Sequence, residues 1–129
     1  MDYLVAPALL GFEDRWHFSH VVRSRGLLFL SGVTGTGEDG RVNRDPAAQF
    51  EQTFVHLGLY LAAADAWMRD IVEITSYHVG LREHLAEFIA AKDRHVLEPF
   101  PAWSVIGVSQ LITEGALVEV RVIARDPSS

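Results

Sequence analysis

The stretch from Ala116 to Ile123 alternates without a break. Ala116, Val118, Val120 and Val122 fall on one face of an extended chain, and Leu117, Glu119, Arg121 and Ile123 fall on the other. A face of small apolar residues is suited to lie under helices. The opposite face carries two ionisable groups and must meet water, a ligand or another subunit. Upstream, Pro101-Ala102-Trp103-Ser104 opens a further strand, so the stretch from Pro101 to Ala124 is expected to form two strands joined by a turn.

The remaining segments supply the helices and the rest of the sheet. Residues 1 to 15 read as an irregular arm, Trp16 to Arg23 as a strand, Ser24-Arg25-Gly26 as a turn and Leu27 to Val33 as a strongly apolar strand. Gly32, Gly35, Gly37 and Gly40 crowd the loop that follows, and a small strand is expected near residues 41 to 44. Asp45-Pro46 carries the signature of a helix start, a capping carboxylate followed by proline at the first helical position. Phe50, Phe54, Leu57, Leu61 and Ala64 then recur at helical spacing, with the helix ending near Asp65. Asp70 to Val79 is rich in β-branched residues and predicts a strand. Glu83 to Leu97 predicts a second helix on the stripe Leu85, Phe88, Ile89, Lys92 and Val96, in which the lysine is an imperfection. The order predicts one α+β domain over residues 1–129: a single sheet with two helices on one face, its strands mostly hairpin-connected. The uncovered face would then seek a partner.

Composition narrows the function. A formal net charge of −6 and the lack of a Lys/Arg-rich run oppose non-specific nucleic-acid binding, and Lys92 is the single lysine. The absence of cysteine removes disulfides, thiolate catalysis and Cys-based zinc sites. The N-terminus is a poor signal peptide, and no apolar run approaches the ~20 residues of a membrane span. A cytoplasmic protein with no membrane partner is the expectation. Among the six histidines, none form a helical i, i+4 pair or an HExxH motif; His17 and His20 are three apart on an expected strand and face opposite ways. No metal or other cofactor is expected.

Six pieces in order resemble the RidA/YjgF family, also called L-PSP endoribonuclease-like. Phe18-Ser19-His20-Val21-Val22 stands where that family has Tyr-Ser-Gln-aliphatic. Phe29-Leu30-Ser31-Gly32 resembles its strand ending in Ser-Gly, Gln49 its helix glutamine, and Asp70 to Thr75 its third long strand. Pro101-Ala102-Trp103-Ser104 is similar to its Pro-Ala-Arg-Ser, and Gly115 to Val120 to its Gly-Ala-Leu-Val-Glu-Ile. The resemblance implies a chorismate-mutase-like fold, a homotrimer, and small-molecule clefts between subunits. In the deaminase branch those clefts hydrolyse enamines and imines. There an Arg binds the substrate carboxylate, a backbone group of the Ser-Gly strand contacts the substrate, and a Glu helps hold the attacking water. The family's Arg falls at Trp103, its Tyr at Phe18, its Gln at His20, and its helix Asn at Ala90 or a neighbour. An indole offers one donor and an apolar face where guanidinium offers a planar fork. Losing that clamp forfeits a charge-assisted contact of about 1.5–3 kcal/mol.

Each candidate has a plainer role beside the functional one. Glu119, the candidate catalytic residue, either polarises a water or pairs with Arg121 or with another subunit's cation. Trp103 either walls a pocket for a flat ligand, its indole N–H serving as an orienting donor, or plugs the cleft. Arg121 either replaces the missing clamp or neutralises Glu119, and pairing is the favoured role. His20 is either a pocket polar group or a histidine of the core edge. Ser31 lacks a GxSxG frame; with Gly32 it suits close ligand approach rather than nucleophilic attack. The candidate ligand-binding set is therefore Trp103, Ser31, Gly32, Phe18, His20 and Arg121. The expected function is binding of a small aromatic or apolar metabolite in intersubunit clefts, with imine or enamine hydrolysis through a Glu119-held water and weak or absent 2-iminoacid deaminase activity. A non-catalytic sensor or partner-binding trimer is the alternative, and endoribonuclease action a third.

Overall fold

The computed structural model describes residues 1–9 and 16–129. Its sheet has six strands: β1 (Asp2–Leu4), β2 (Val21–Ser24), β3 (Leu27–Leu30), β4 (Ile71–His78), β5 (Ala102–Gly107) and β6 (Val118–Arg125). Their spatial order is β1-β2-β3-β6-β4-β5, and only the β4–β5 pair is parallel. Helices α1 (Pro46–Ala63) and α2 (Leu81–His95) complete the α+β architecture.

Helix α1 begins as its sequence signals. The Asp45 carboxylate accepts from the Ala48 amide at 3.0 Å, satisfying a donor that the first turn leaves orphaned. Its stripe of Phe50, Phe54, Leu57, Leu61 and Ala64 is buried against the sheet, where Val118, Val120, Val122 and Ala124 of β6 are fully buried. The expected alternation of β6 is thus realised, and β6 is one of the two central strands of the sheet. Phe88 and Ala91 of α2 close the same core.

The strand pairing corrects the expected hairpin between the last two strands. β5 and β6 are not neighbours, because β4 lies between them. The segment β4–α2–β5 is a crossover, and a helix between two strands returns the chain to the same end and makes them parallel. The connection 108–117 then carries the chain around β4 to β6. At the other edge, Asp2–Leu4 forms a short strand in place of the expected irregular arm, anchored by the Arg23–Asp2 ion pair at 2.8 Å; residues 10–15 of that arm lie outside the described residues.

The strand expected from Trp16 starts only at Val21. His17 turns the chain with φ 59°, and the buried His20 ring accepts the Ala6 amide at 2.9 Å, tying this segment to the N-terminal one. The β2–β3 turn at Arg25-Gly26 is as expected, both residues having positive φ, as a two-residue hairpin loop requires. β3 ends at Leu30, although Val33 still bridges Val120. Near residues 41 to 44 there is only a single bridge, Thr36 to Val42.

Gln49 locks the loops onto this frame. Its side chain, 1% exposed, donates to the carbonyls of Asn43 and Gly115 and accepts from the Leu117 amide at 2.7 Å. Three backbone groups from two loops are thereby satisfied by one helix residue.

Both helices pack on one face of the sheet. The other face carries Val22, Phe29, Tyr77, Ile106, Leu117, Glu119, Arg121 and Ile123, half-buried or exposed. Among the described residues, no helix is long and apolar enough to cross a membrane.

Candidate functional site

Glu119 stands on the open face of β6. The register sets Tyr77 of β4 beside it on one side. On the other side, the chain beyond β3 brings Gly32 beneath its side chain. A Cβ at Gly32 would lie 2.5 Å from the carboxylate Oε2 and 2.6 Å from Cδ, so only glycine admits the carboxyl group in this position. Burial pushes the Glu119 carboxyl above its ordinary pKa. Among the described residues it has no ion-pair or hydrogen-bond partner to offset that desolvation. Such a group is reluctant to ionise and is suited to exchanging a proton with a water or a substrate.

Arg121, one position further along the same face, is exposed and makes no ion pair among the described residues. The favoured pairing with Glu119 is therefore not formed within one chain. The exposed guanidinium projects from the same open face, opposite Thr75.

Ser31 and Gly32 do come together with Glu119. The Ser31 hydroxyl donates to the Ser19 carbonyl at 2.6 Å and its amide to the His20 carbonyl, so both Ser31 donors are engaged in joining this strand end to the segment before β2. His20 itself turns into the helix side. It is 1% exposed and stacks on Tyr60 of α1, with ring centroids 4.3 Å apart and planes 11° from parallel. Phe18 lies 5.9 Å from the same ring, half-buried.

Trp103 lies elsewhere. It pairs in register with Ile74, whose side chain is in the core, and its indole N–H donates to Ser76 Oγ at 2.9 Å. Ser76 Oγ also bonds His78 Nε2 at 2.8 Å, and His78 meets Phe88 edge-on at 4.6 Å. Burial pushes the His78 imidazole down to about 4, so it is neutral. The indole donor is thus consumed internally, leaving the ring face. Lys92 Nζ sits 4.7 Å from the centroid of that ring. Trp103 and Glu119 consequently occupy opposite faces of the sheet, with β4 between their strands.

Two groupings result. Glu119, Gly32, Ser31, Tyr77 and Arg121 belong to the open face. Trp103, Lys92, Ser76 and His78 belong to the helix side near the free edge of β5. Tyr77 and Ser76 gave no signal in sequence, because their roles depend on cross-strand register. Lys92 did give one, as the cation in an otherwise apolar stripe. Among the described residues, no group of three His, Asp or Glu side chains gathers to hold a metal ion.

The comparisons with known proteins agree with one another. Residues 12–126 match the family model described as Endoribonuclease L-PSP. A RutC family protein of Escherichia coli strain K12, YjgH, is 35% identical over 111 residues, covering 85% of this chain and 83% of that protein. A solved structure of protein YjgH superposes with a TM-score of 0.91 at 30% identity, covering 99% of this chain and 98% of the other. Rv2704 of Mycobacterium tuberculosis, described as a member of the YjgF/YER057c/UK114 family, superposes with a TM-score of 0.81 at 26% identity over 95% of this chain and 97% of its own.

Proposed function

The chain belongs to the L-PSP endoribonuclease-like family of YjgF and RidA, and from that premise we propose that it is a cytoplasmic homotrimer binding a small aromatic or apolar metabolite in clefts between its subunits. The observation that carries the proposal is the open sheet face, where apolar Val22, Phe29, Leu117 and Ile123 share the surface with a carboxyl group that burial holds above its ordinary pKa. A second copy covering that face removes the apolar area from water and excludes bulk solvent around Glu119. Since one chain places Trp103 and Glu119 on opposite faces, a cleft using both takes them from different copies.

The chemistry such a cleft supports is hydrolysis of an imine or an enamine's imine tautomer. Glu119, in its carboxylate form, takes a proton from a water as the water oxygen bonds to the C=N carbon. It returns that proton to the nitrogen, giving a carbinolamine, and then carries the carbinolamine's hydroxyl proton to the nitrogen as the C–N bond breaks, so that ammonia leaves and the carbon becomes a carbonyl. Ser31 and Gly32 shape the floor, and Arg121 lies at its margin. Trp103 in place of the resembling family's Arg leaves no guanidinium fork for a small 2-imino acid. The endoribonuclease in the family's description finds no support in a chain of net charge −6.

The test is ammonia release from freshly generated 2-iminobutanoate and from an aromatic 2-imino acid, with Glu119→Gln as control. The expected result is turnover of the aromatic compound, lost in the variant, and release from 2-iminobutanoate far below that of an Arg-bearing relative. Fast turnover of 2-iminobutanoate would refute the assigned effect of Trp103. Binding without any turnover would make the protein a ligand-binding trimer.

A further inference from the structure

The free edge of β5 and the last turns of α2 enclose a cleft of about 330 Å³, lined by Ile74, Lys92, Val96, Phe100, Pro101 and Trp103, with Asp93 at its rim. Its walls are apolar apart from Lys92 and the Asp93 carboxylate beside it. The Lys92 side chain is only 12% exposed, its ammonium lies over the Trp103 ring, and its one ion-pair partner among the described residues is Asp93 at 3.2 Å. The Asp93 side chain is 60% exposed and on the neighbouring helix position, so it engages one of three ammonium donors from the solvent side. Trp103 cannot rotate its N–H into the cleft without abandoning Ser76, and it therefore offers ligands a fixed aromatic face.

A largely apolar cleft with a flat wall and a single cation on a mostly buried stem recognises one kind of molecule well: a planar apolar body bearing a carboxylate. We propose that this cleft binds aromatic carboxylic acids, with Lys92 as the residue that selects the negative charge and Trp103 as the surface that receives the ring. The assignment rests on the ligand reading above, which it narrows from aromatic or apolar to aromatic and anionic. A lysine is a point charge on a flexible stem, unlike a guanidinium fork, and it favours acids whose ring is held separately. A short aliphatic acid lacks that second contact. Lys92, placed beside the ring rather than at the strand position, thus supplies the charge that Trp103 does not.

The test uses calorimetric titration of the full chain with phenylacetate and with its uncharged counterpart phenylacetamide at low salt. Phenylacetate is expected to bind about 10-fold or more tightly, the range of one charge-assisted hydrogen bond. Lys92→Met keeps the apolar stem and should abolish the preference, while Lys92→Arg should retain most of it. Asp93→Asn, at a position whose side chain is 60% exposed, removes the competing negative charge and should tighten phenylacetate binding severalfold. Equal affinity for the two probes, no binding of phenylacetate, a preference that survives Lys92→Met, or no gain in Asp93→Asn would each overturn the assignment. Loss of turnover in Glu119→Gln bears on hydrolysis, and loss of charge preference in Lys92→Met bears on this site.

Discussion

Acidification should destabilise this protein through one buried imidazole. His78 is 2% exposed, bonded to Ser76 Oγ and enclosed by Phe88, and burial lowers its pKa from 6.5 to about 4. Above 6.5 both folded and unfolded chains hold it neutral. Below 6.5 the unfolded chain takes up a proton that the folded chain refuses, so stability falls with pH until the folded pKa is passed. At about 1.4 kcal/mol per pH unit, the loss is about 2 kcal/mol at pH 5 and approaches 3 kcal/mol at pH 4. Glu51 and Asp126, whose pKa values are lowered chiefly by hydrogen bonds from Arg94 and Ser128 respectively, also lose stabilisation on acidification. Glu119, raised by burial, works in the opposite direction. These terms cancel in a comparison of the parent with His78→Gln. Urea unfolding of both, at fixed protein concentration and pH 7, 6, 5 and 4, should show their stability gap narrowing by about 3 kcal/mol over this range. A gap that stays constant, or an NMR titration placing His78 near 6.5, would refute the argument.

Two other perturbations address the open face and the loops. Gly32→Ala places a methyl group 2.5 Å from the present Oε2 position, so the Glu119 carboxyl should move into water and its pKa fall toward the ordinary carboxylate value, as followed by carboxyl ¹³C titration. Gln49→Ala orphans the Asn43 and Gly115 carbonyls and the Leu117 amide; a loss of about 2–4 kcal/mol in urea unfolding is expected, since each buried group left unsatisfied costs about 1–3 kcal/mol and water recovers some.

The features legible in sequence were those written in local period. The Asp45-Pro46 cap, the α1 stripe and the two faces of β6 each follow from spacing within one element, and the structure carries all three. Strand order was less accessible. β5 and β6 look like a hairpin because they are consecutive, yet α2 has already committed β5 to a parallel place beside β4. The three residues of β1 are too few to show alternation, and pairing with β2 defines them. The candidate site divided the same way. Glu119 and the Ser31-Gly32 strand end could be associated by resemblance, and the register brings Gly32 against the Glu119 side chain. Trp103 could not be assigned a face, because that depends on whether it pairs with Ile74 or with a neighbour one residue away. Its N–H was free to be a ligand donor in sequence and is committed to Ser76 in space.

The separation of Trp103 and Glu119 by the thickness of the sheet has a genetic consequence. In the proposed ring of three, every cleft joins the Glu119 of one copy to the Trp103 of the next. A lesion at either position alone would then disable all three clefts. A ring containing copies of both kinds would always retain one cleft with neither lesion, whichever kind is in the majority. Two inactive alleles of this gene, expressed together, would therefore rescue each other, whereas two lesions within either face's own cluster would not.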